Sequence, residues 1–168
     1  MKVHLSHHTL ILTILEYGNK KRMLPSSIMD FLRNKYGDRL SDYQIPPPVF
    51  IMMEGELVSF DMDDETVLAH FPVRERYLNP YRVMQGGIIA AAVDNTVGPL
   101  SMLVAPPNVT RRLDMKYSHT ITPDVGYISV MAKLVKRKGR NLTFSAEVRD
   151  PEGKLLARAR ATHWILDG

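Results

Sequence analysis

The distribution of apolar residues divides the chain near residue 45 into two parts of different character. Residues 3–17 are mostly apolar, and they are followed by Gly18, a common residue at the end of a helix. A second helical segment ends before Gly37. We predict a helical extension over residues 1–45 that packs on the rest of the chain, because so short a segment cannot build a core of its own.

The domain that we predict over residues 46–168 begins with strands. Residues 50–80 look like strands, and the runs 56–62 and 66–73 are separated by an acidic turn, which predicts a hairpin. Residues 86–105 are apolar on nearly all sides and predict a buried helix. Pro99 lies inside this helix and is expected to kink or break it.

Four further strands are predicted after the helix, and turn residues separate them. Several alternate between apolar and polar positions, which indicates an antiparallel sheet with one solvated face. The buried helix is the one segment large enough to cover the apolar face, so the pattern predicts an α+β fold with a sheet wrapped around a central helix. The four runs are residues 112–120, 127–135, 142–149 and 155–166.

Composition limits the kinds of chemistry that the chain can perform. Its 168 residues include no cysteine, which excludes disulfides, thiolate-bound zinc and a cysteine nucleophile and fits a reducing cytoplasm. The apolar run 10–15 is too short to span a bilayer, so we expect no membrane insertion. The net charge of +4 is compatible with a solvated surface or with a nucleotide-bearing polyanion, and no basic tail or RNA motif points to nucleic acid.

The candidate chemistry lies at the start and in the middle of the buried helix. Gly86 and Gly87 open the helix, and the first amides of a helix lack internal partners, so they could stabilise an oxyanion. The alternative is a tight turn without further function. Asp94 is a carboxylate among apolar residues, and it must reach solvent, a hydrogen-bond partner or a cavity. It is read either as a general base or nucleophile or as a structural hydrogen-bonding group.

The spacing of these residues has a consequence for assembly. Asp94 follows Gly87 by seven residues, which is about 10 Å along a helix. The carboxylate and the glycine amides of one chain are therefore too far apart to share a small reacting group. A site built across the interface of a dimer removes this difficulty.

The run Asn79-x5-Gln85-Gly86-Gly87-x6-Asp94 resembles the signature of hotdog-fold acyl-CoA thioesterases of the phenylacetate-pathway type. The resemblance covers residues 50–166 and implies hydrolysis of an acyl-CoA to a free acid and CoA, with no cofactor beyond the CoA of the substrate and no metal. It also implies a homodimer or a dimer of dimers. The alternatives are a non-catalytic acyl-CoA-binding module and an acyl dehydratase or hydratase on the same fold.

The resemblance assigns a role to individual residues. The Gly86 amide would polarise the thioester carbonyl, and Asp94 of the partner subunit would activate water or attack directly. Thr110 matches a position that helps to orient the water, and Asn79 would position the thioester. Gln85 stands where the family usually has histidine, and glutamine cannot take up a proton at neutral pH.

Basic residues are candidates for the phosphates of CoA, although a solubilising turn explains the basic hairpin equally well. The histidines at 70, 119 and 163 lie in strands and are interpreted as structural or surface groups. His4, His7 and His8 are interpreted as an N-terminal cluster without a metal. The phosphate candidates are Arg82, Lys116, Lys136, Arg137, Lys138 and Arg140.

Overall fold

The computed structural model describes residues 24–166, so the helix expected over residues 3–17 lies outside the described part of the chain. Within these residues there are three α-helices and six strands, and the elements of the main domain follow the predicted order, with one additional short helix. They are α1 (Ser26–Tyr36), α2 (Pro48–Met52), β1 (Glu56–Asp61), β2 (Thr66–Pro72), α3 (Gly86–Val104), β3 (Asn108–Tyr117), β4 (Tyr127–Lys138), β5 (Asn141–Arg149) and β6 (Leu155–Ile165).

The six strands form one antiparallel sheet in the order β1-β2-β4-β5-β6-β3, so β1 and β3 are its edges. Helix α3 packs against one face and contacts strands β2 to β6. This arrangement confirms the α+β hotdog fold, including the hairpin of β1 and β2. The strand predicted over residues 112–120 begins and ends earlier, at Asn108 and Tyr117.

The core lies between α3 and the inner face of the sheet. Buried and less buried residues alternate along β2, β4 and β5, as the sequence pattern predicted. Burial of each large apolar side chain contributes about 1.5–3 kcal/mol to stability. Fully buried core residues include Phe71, Ile128, Val130, Phe144 and Val148 from the sheet and Val93, Val97 and Leu100 from α3.

Residues 50–52 belong to α2, so the expectation that strands begin at residue 50 is wrong there. Pro48 is the first residue of this helix, a position that suits its fixed φ angle. Phe50 of α2 then packs edge-on against Phe71 of β2, with 5.7 Å between ring centroids. A Cβ at Gly55 would lie 2.7 Å from both rings, so only glycine lets the chain pass this contact.

Helix α3 continues through Pro99, and the expectation of a break is wrong. Proline cannot bond to the carbonyl of Asn95 four residues earlier, but the helix is held by its packing on the sheet. Val97 and Leu100 on either side of Pro99 are fully buried. Among residues 24–166, α3 is the one helix long and apolar enough to cross a membrane, and half of it is buried in the fold.

The end of α3 is fixed by the extension that precedes the sheet. The ammonium group of Lys35 in α1 donates to three carbonyls at the end of α3, and the hydroxyl of Tyr36 donates to one of the same carbonyls. These bonds satisfy acceptors that a helix end otherwise leaves to water, and the positive charge suits the helix dipole. The acceptors are the carbonyls of Met102, Leu103 and Ala105.

Candidate active site

Asp94 lies in the middle of α3 on a face that the sheet does not cover, and its side chain is exposed. One carboxylate oxygen, Oδ1, accepts a hydrogen bond of 2.9 Å from the hydroxyl of Thr110 at the start of β3. Register in β3 shifts between Thr110 and Arg112, and this irregularity separates Thr110 from the regular part of the strand. The sequence indicated that this carboxylate needs solvent, a hydrogen-bond partner or a cavity. Asp94 has the first two, and it also lines a cavity.

A cavity of ≈ 410 Å³ opens beside Asp94. Its size falls within the range of ligand pockets, about 300–1,000 Å³. The walls come from the extension with α1, from the segment that leads into α2 and from α2 itself, from β1, from the second half of α3, from the start of β3 and from β6. They are mainly apolar and include Ile28, Leu32, Ile45, Phe50, Leu57 and Met102.

Behind Thr110 lies a buried histidine that the sequence pattern had assigned a structural or surface role. The Nε2 atom of His163 is 3.1 Å from the Thr110 hydroxyl, and its Nδ1 atom is 2.7 Å from Oδ1 of Asn108. His163 is 2% exposed and packs edge-on against Phe144. Asp94, Thr110, His163 and Asn108 thus form one chain of contacts from the cavity into the core.

Burial lowers the pKa of His163 below its ordinary value of 6.5, and the negative charge of Asp94 opposes this shift. The imidazole is therefore neutral at pH 7. The signal in the sequence is the run Ala157-x-Ala159-x-Ala161-x-His163, which places the histidine on the same inner face as three alanines. A histidine on an inward face lies in the core, so this pattern argues against a surface role.

The glycine pair lies at the other end of this face of α3. The first amides of α3 that donate to a helix carbonyl are those of Ile88 and Ile89, and both donate to the carbonyl of Gln85. The amides of Gly86 and Gly87 have no such partner within the described residues. The hydroxyl of Tyr117 at the end of β3 donates to the Gly86 carbonyl over 2.8 Å. The free amides and the positive helix end can hold a developing negative charge.

Tyr117 defines the space beside the glycines. A Cβ at Gly86 would lie 3.3 Å from the Tyr117 ring, whereas a Cβ at Gly87 would meet nothing within 4 Å. Burial also raises the pKa of the Tyr117 hydroxyl, which keeps it protonated as a hydrogen-bond donor. Tyr117 lies within residues 50–166, which the sequence resemblance covers, but no role had been assigned to it.

Asn79 and Gln85 frame the loop that leads into α3. The Asn79 side-chain oxygen accepts hydrogen bonds from the amides of Tyr81 and Val83, and these bonds do not use its NH2 group. The backbone amide of Gln85 donates to the Tyr77 carbonyl, while its exposed side chain does not cap the helix. These bonds fix the loop, and with it the start of α3.

The basic candidates for CoA phosphates occupy different places on the molecule. Arg82 pairs with Glu75 beside the start of α3. Arg137 pairs with Glu65 and donates to the Val104 carbonyl at the end of α3. Because α3 has 19 residues, its ends are about 28 Å apart, and one chain does not bring the two arginines together.

The remaining basic candidates lie on the sheet and its hairpin. Lys136 and Lys138 are exposed on β4, and Lys116 is exposed on β3. The Arg140 guanidinium lies over the ring of Trp164, 4.9 Å from its centroid, and Arg111 lies over the same ring at 4.4 Å. Within residues 24–166 no group of three or more acidic or imidazole side chains could hold a metal ion.

The fold is similar to solved structures at low sequence identity. The PaaI protein of the Escherichia coli phenylacetic acid degradation operon aligns with a TM-score of 0.69 and 12% identity, over 82% of this chain and 95% of that chain. A variant of the phenylacetic acid degradation protein PaaI from Thermus thermophilus gives 0.64 and 21%, over 71% and 100%. A thioesterase from Haemophilus influenzae gives 0.65 and 17%, over 73% and 85%.

No protein-family model matches the sequence, and a search of curated proteins finds no match. The structural similarities confirm, at the level of the fold, the resemblance to PaaI-type hotdog proteins that the sequence motif indicated.

Proposed function

We propose that the protein is an acyl-CoA thioesterase. The observation that carries this proposal is the Asp94 carboxylate, which Thr110 holds beside a mainly apolar cavity. A fixed carboxylate supplies a base, and the apolar walls suit a hydrocarbon chain. The hotdog neighbours include a thioesterase and two PaaI proteins, which supports the same class of reaction.

In the proposed reaction, Asp94 removes a proton from water while the water oxygen attacks the carbonyl carbon of the thioester. The tetrahedral oxyanion then collapses, the carbon–sulfur bond breaks, and the sulfur of CoA takes the proton that Asp94 holds. The products are a carboxylic acid and the CoA thiol. Gln85 takes no proton in this scheme, because an amide cannot act as an acid or base at neutral pH.

The Gly86 amide of a second copy would stabilise the oxyanion. Within one chain, Asp94 contacts Thr110 at the start of β3, whereas Gly86 contacts Tyr117 at its end. β3 is an edge strand with unpaired backbone groups, and two such edges can pair about a two-fold axis. Antiparallel pairing of this kind brings the start of one β3 next to the end of the other, which favours a site shared by two subunits.

The acyl group would occupy the cavity, and CoA would extend from Asp94 to the surface. Asn79 retains donor groups that could bind the thioester. Exposed Lys136 and Lys138 could bind the CoA phosphates of the same or a neighbouring subunit, as could Arg82 after exchange of its partner Glu75. A homo-oligomer in the cytoplasm remains the prediction from sequence.

Hydrolysis by the Asp94→Asn variant tests the proposal. Release of CoA thiol is measured for short, medium, long and aromatic acyl-CoAs with the wild type and the variant. We expect the best substrate to lose about 10²- to 10⁴-fold in kcat/KM, because the amide cannot accept the proton of water.

Asp114→Asn is the matched control, since Asp114 is an exposed carboxylate of β3 that pairs with Arg112. It should retain wild-type kinetics. Binding of acyl-CoA without hydrolysis above the level of Asp94→Asn would instead support the non-catalytic binding module, which the glutamine at position 85 favours.

A further inference from the structure

His163 is part of a chain of hydrogen bonds whose protons can be counted. Three short contacts join Asp94 to Thr110, Thr110 to His163, and His163 to Asn108, at 2.9, 3.1 and 2.7 Å. Each contact needs one proton between its two heavy atoms. The number of protons available therefore determines which protonation states satisfy the whole chain.

The side chain of Asn108 fixes the tautomer of the histidine. Its NH2 group donates to the Pro106 carbonyl over 2.7 Å, and a carbonyl can only accept. The other atom of the amide, Oδ1, therefore faces His163 and is also an acceptor. The Nδ1 atom of His163 must carry a proton, which leaves Nε2 as an acceptor in the neutral ring.

The same count shows that one proton is missing when Asp94 is ionised and His163 is neutral. The Thr110 hydroxyl has a single proton and can donate to Asp94 or to Nε2 of His163, but not to both. A third proton completes the chain in either of two forms. Protonated Asp94 donates to Thr110, which donates to His163, or an imidazolium donates to Thr110, which donates to an ionised Asp94.

We propose that His163, acting through Thr110, shares the proton that Asp94 removes from water, an assignment that rests on the proposed thioesterase activity. Water gives one proton to the chain as its oxygen bonds to the thioester carbon. A concerted shift of two protons, one from Asp94 to the Thr110 oxygen and one from Thr110 to Nε2 of His163, moves the charge between Asp94 and His163 without adding or losing a proton. When the carbon–sulfur bond breaks, the thiolate takes one proton from Asp94, and the chain returns to its starting count.

His163 touches Thr110 and not the reacting atoms, so it is a positioning residue. The groups packed around it limit the electrostatic influences on the ring. Phe144 of β5 contacts it edge-on, and among the described residues lining the cavity the other titratable side chains are Asp94 of α3 and Tyr43 before α2. The carboxylate of Asp94 is thus the charged group that couples to this imidazole.

The pH dependence of kcat/KM tests the shared proton. In His163→Gln the amide cannot take up a proton, so the acid limb of the profile should move to lower pH by about one unit. The rate on the plateau should fall roughly tenfold. Thr110→Val should also move the acid limb, because it removes both the connecting hydroxyl and its hydrogen bond to Asp94, and Thr110→Ser should restore the wild-type profile.

His119→Gln is the control, since His119 is exposed and lies outside the chain of contacts. An acid limb that stays at its wild-type position in both His163→Gln and Thr110→Val would overturn the proposal, even if activity falls. Thr110→Val and Thr110→Ser change a side chain at the protein surface, so they keep the test available if His163→Gln folds poorly.

Nitrogen NMR of the imidazole supplies a reading that does not depend on turnover. We expect His163 to be protonated at Nδ1 near pH 7, and its pKa to fall further in Asp94→Asn because the neighbouring negative charge is lost. Protonation at Nε2, or a pKa unchanged in Asp94→Asn, would contradict the shared proton. If the wild type hydrolyses no acyl-CoA, the proposed function fails, and these NMR readings alone decide whether the two residues are coupled.

Discussion

At residue 163, the alternation of small inward residues along β6 brings an imidazole into the core. The neighbouring inward positions on this strand are alanines, and the ring extends beyond them to the contact with Thr110. A buried histidine that stays neutral lowers the free energy of unfolding at any pH at which the same residue takes up a proton in the unfolded chain. Stability should therefore depend on pH in a range where most side chains do not titrate.

The first prediction at this scale concerns that dependence. Because the pKa of His163 is lowered on folding, the unfolded state binds more protons as pH falls below the ordinary value of 6.5. The contribution of His163 to the free energy of unfolding is fully present above pH 6.5. It is lost as pH falls from 6.5 to the lowered pKa of the folded state. Melting temperatures compared between about pH 7.5 and 5.5 should fall less in His163→Gln than in the wild type or in His119→Gln.

An equal pH dependence in all three proteins would contradict a buried neutral histidine. Glu54 and Glu147, whose pKa values are lowered by arginine partners, lose their stabilising effect at more acid pH. The comparison should therefore stay above the range in which these carboxylates take up protons.

Asp94 and Thr110 could be identified from sequence, whereas Asn108 and His163 could not. An ionisable residue inside an apolar helix stands out in a linear pattern, and the family resemblance pointed to the threonine. The pairing of β3 with β6 joins residues more than fifty positions apart, and only this register shows that Asn108 and His163 meet. The orientation of Asn108, on which the tautomer depends, comes from a local bond to Pro106 that has no sequence signature.

Among the elements, α1 has the most specific effect on the cavity. The sequence predicted this helix but left its role open between covering a pocket and extending a dimer contact. The structure places Ile28 and Leu32 in the cavity wall and joins Lys35 to the end of α3. The extension therefore covers one side of the space beside Asp94.

The second prediction follows for acyl-chain length. Ile28→Trp should place an indole into the cavity and lower kcat/KM for long acyl-CoAs at least tenfold, while short acyl-CoAs are hydrolysed nearly as well as by the wild type. Added volume in a packed region costs about 1–3 kcal/mol, so folding is checked by circular dichroism. Asn34→Trp on the exposed side of α1 is the matched control and should leave the chain-length profile unchanged.

A uniform loss across all chain lengths in Ile28→Trp would argue that α1 does not border the acyl site. The strands were easier to predict than α1's role, because alternation along β4 and β5 fixes both their type and their buried face. Helix α2 was missed because five residues give too short a run to show a helical period. Its start depends on Pro48, which the sequence also permits in an extended chain.

At the scale of the whole molecule, the two halves of the proposed site lie at opposite ends of β3. The third prediction uses this separation. Gly86→Pro removes the backbone N–H while proline remains acceptable at the first position of a helix, and Gln85 already has the extended ψ angle that a following proline requires. This variant and Asp94→Asn should each retain less than about one hundredth of the wild-type activity alone.

Mixed after subunit exchange, the two variants should recover about a quarter of the wild-type activity. Half of the random dimers are then heterodimers, and each heterodimer contains one site with both groups intact. Gly86→Ala retains the N–H and controls for the added bulk beside Tyr117. No recovery in a sample shown by mass spectrometry to contain heterodimers would mean that both groups act within one chain.

Trp164 gives the sheet a spectroscopic reporter. It is the one tryptophan of the chain, and the guanidinium groups of Arg111 on β3 and of Arg140, in the turn after β4, both lie over its ring. Its indole emission therefore arises from a single, known location at the border of the edge strand. Detachment of β3, or its association with another copy, alters the polarity and the quenching around this fluorophore and can be followed in the unlabelled protein.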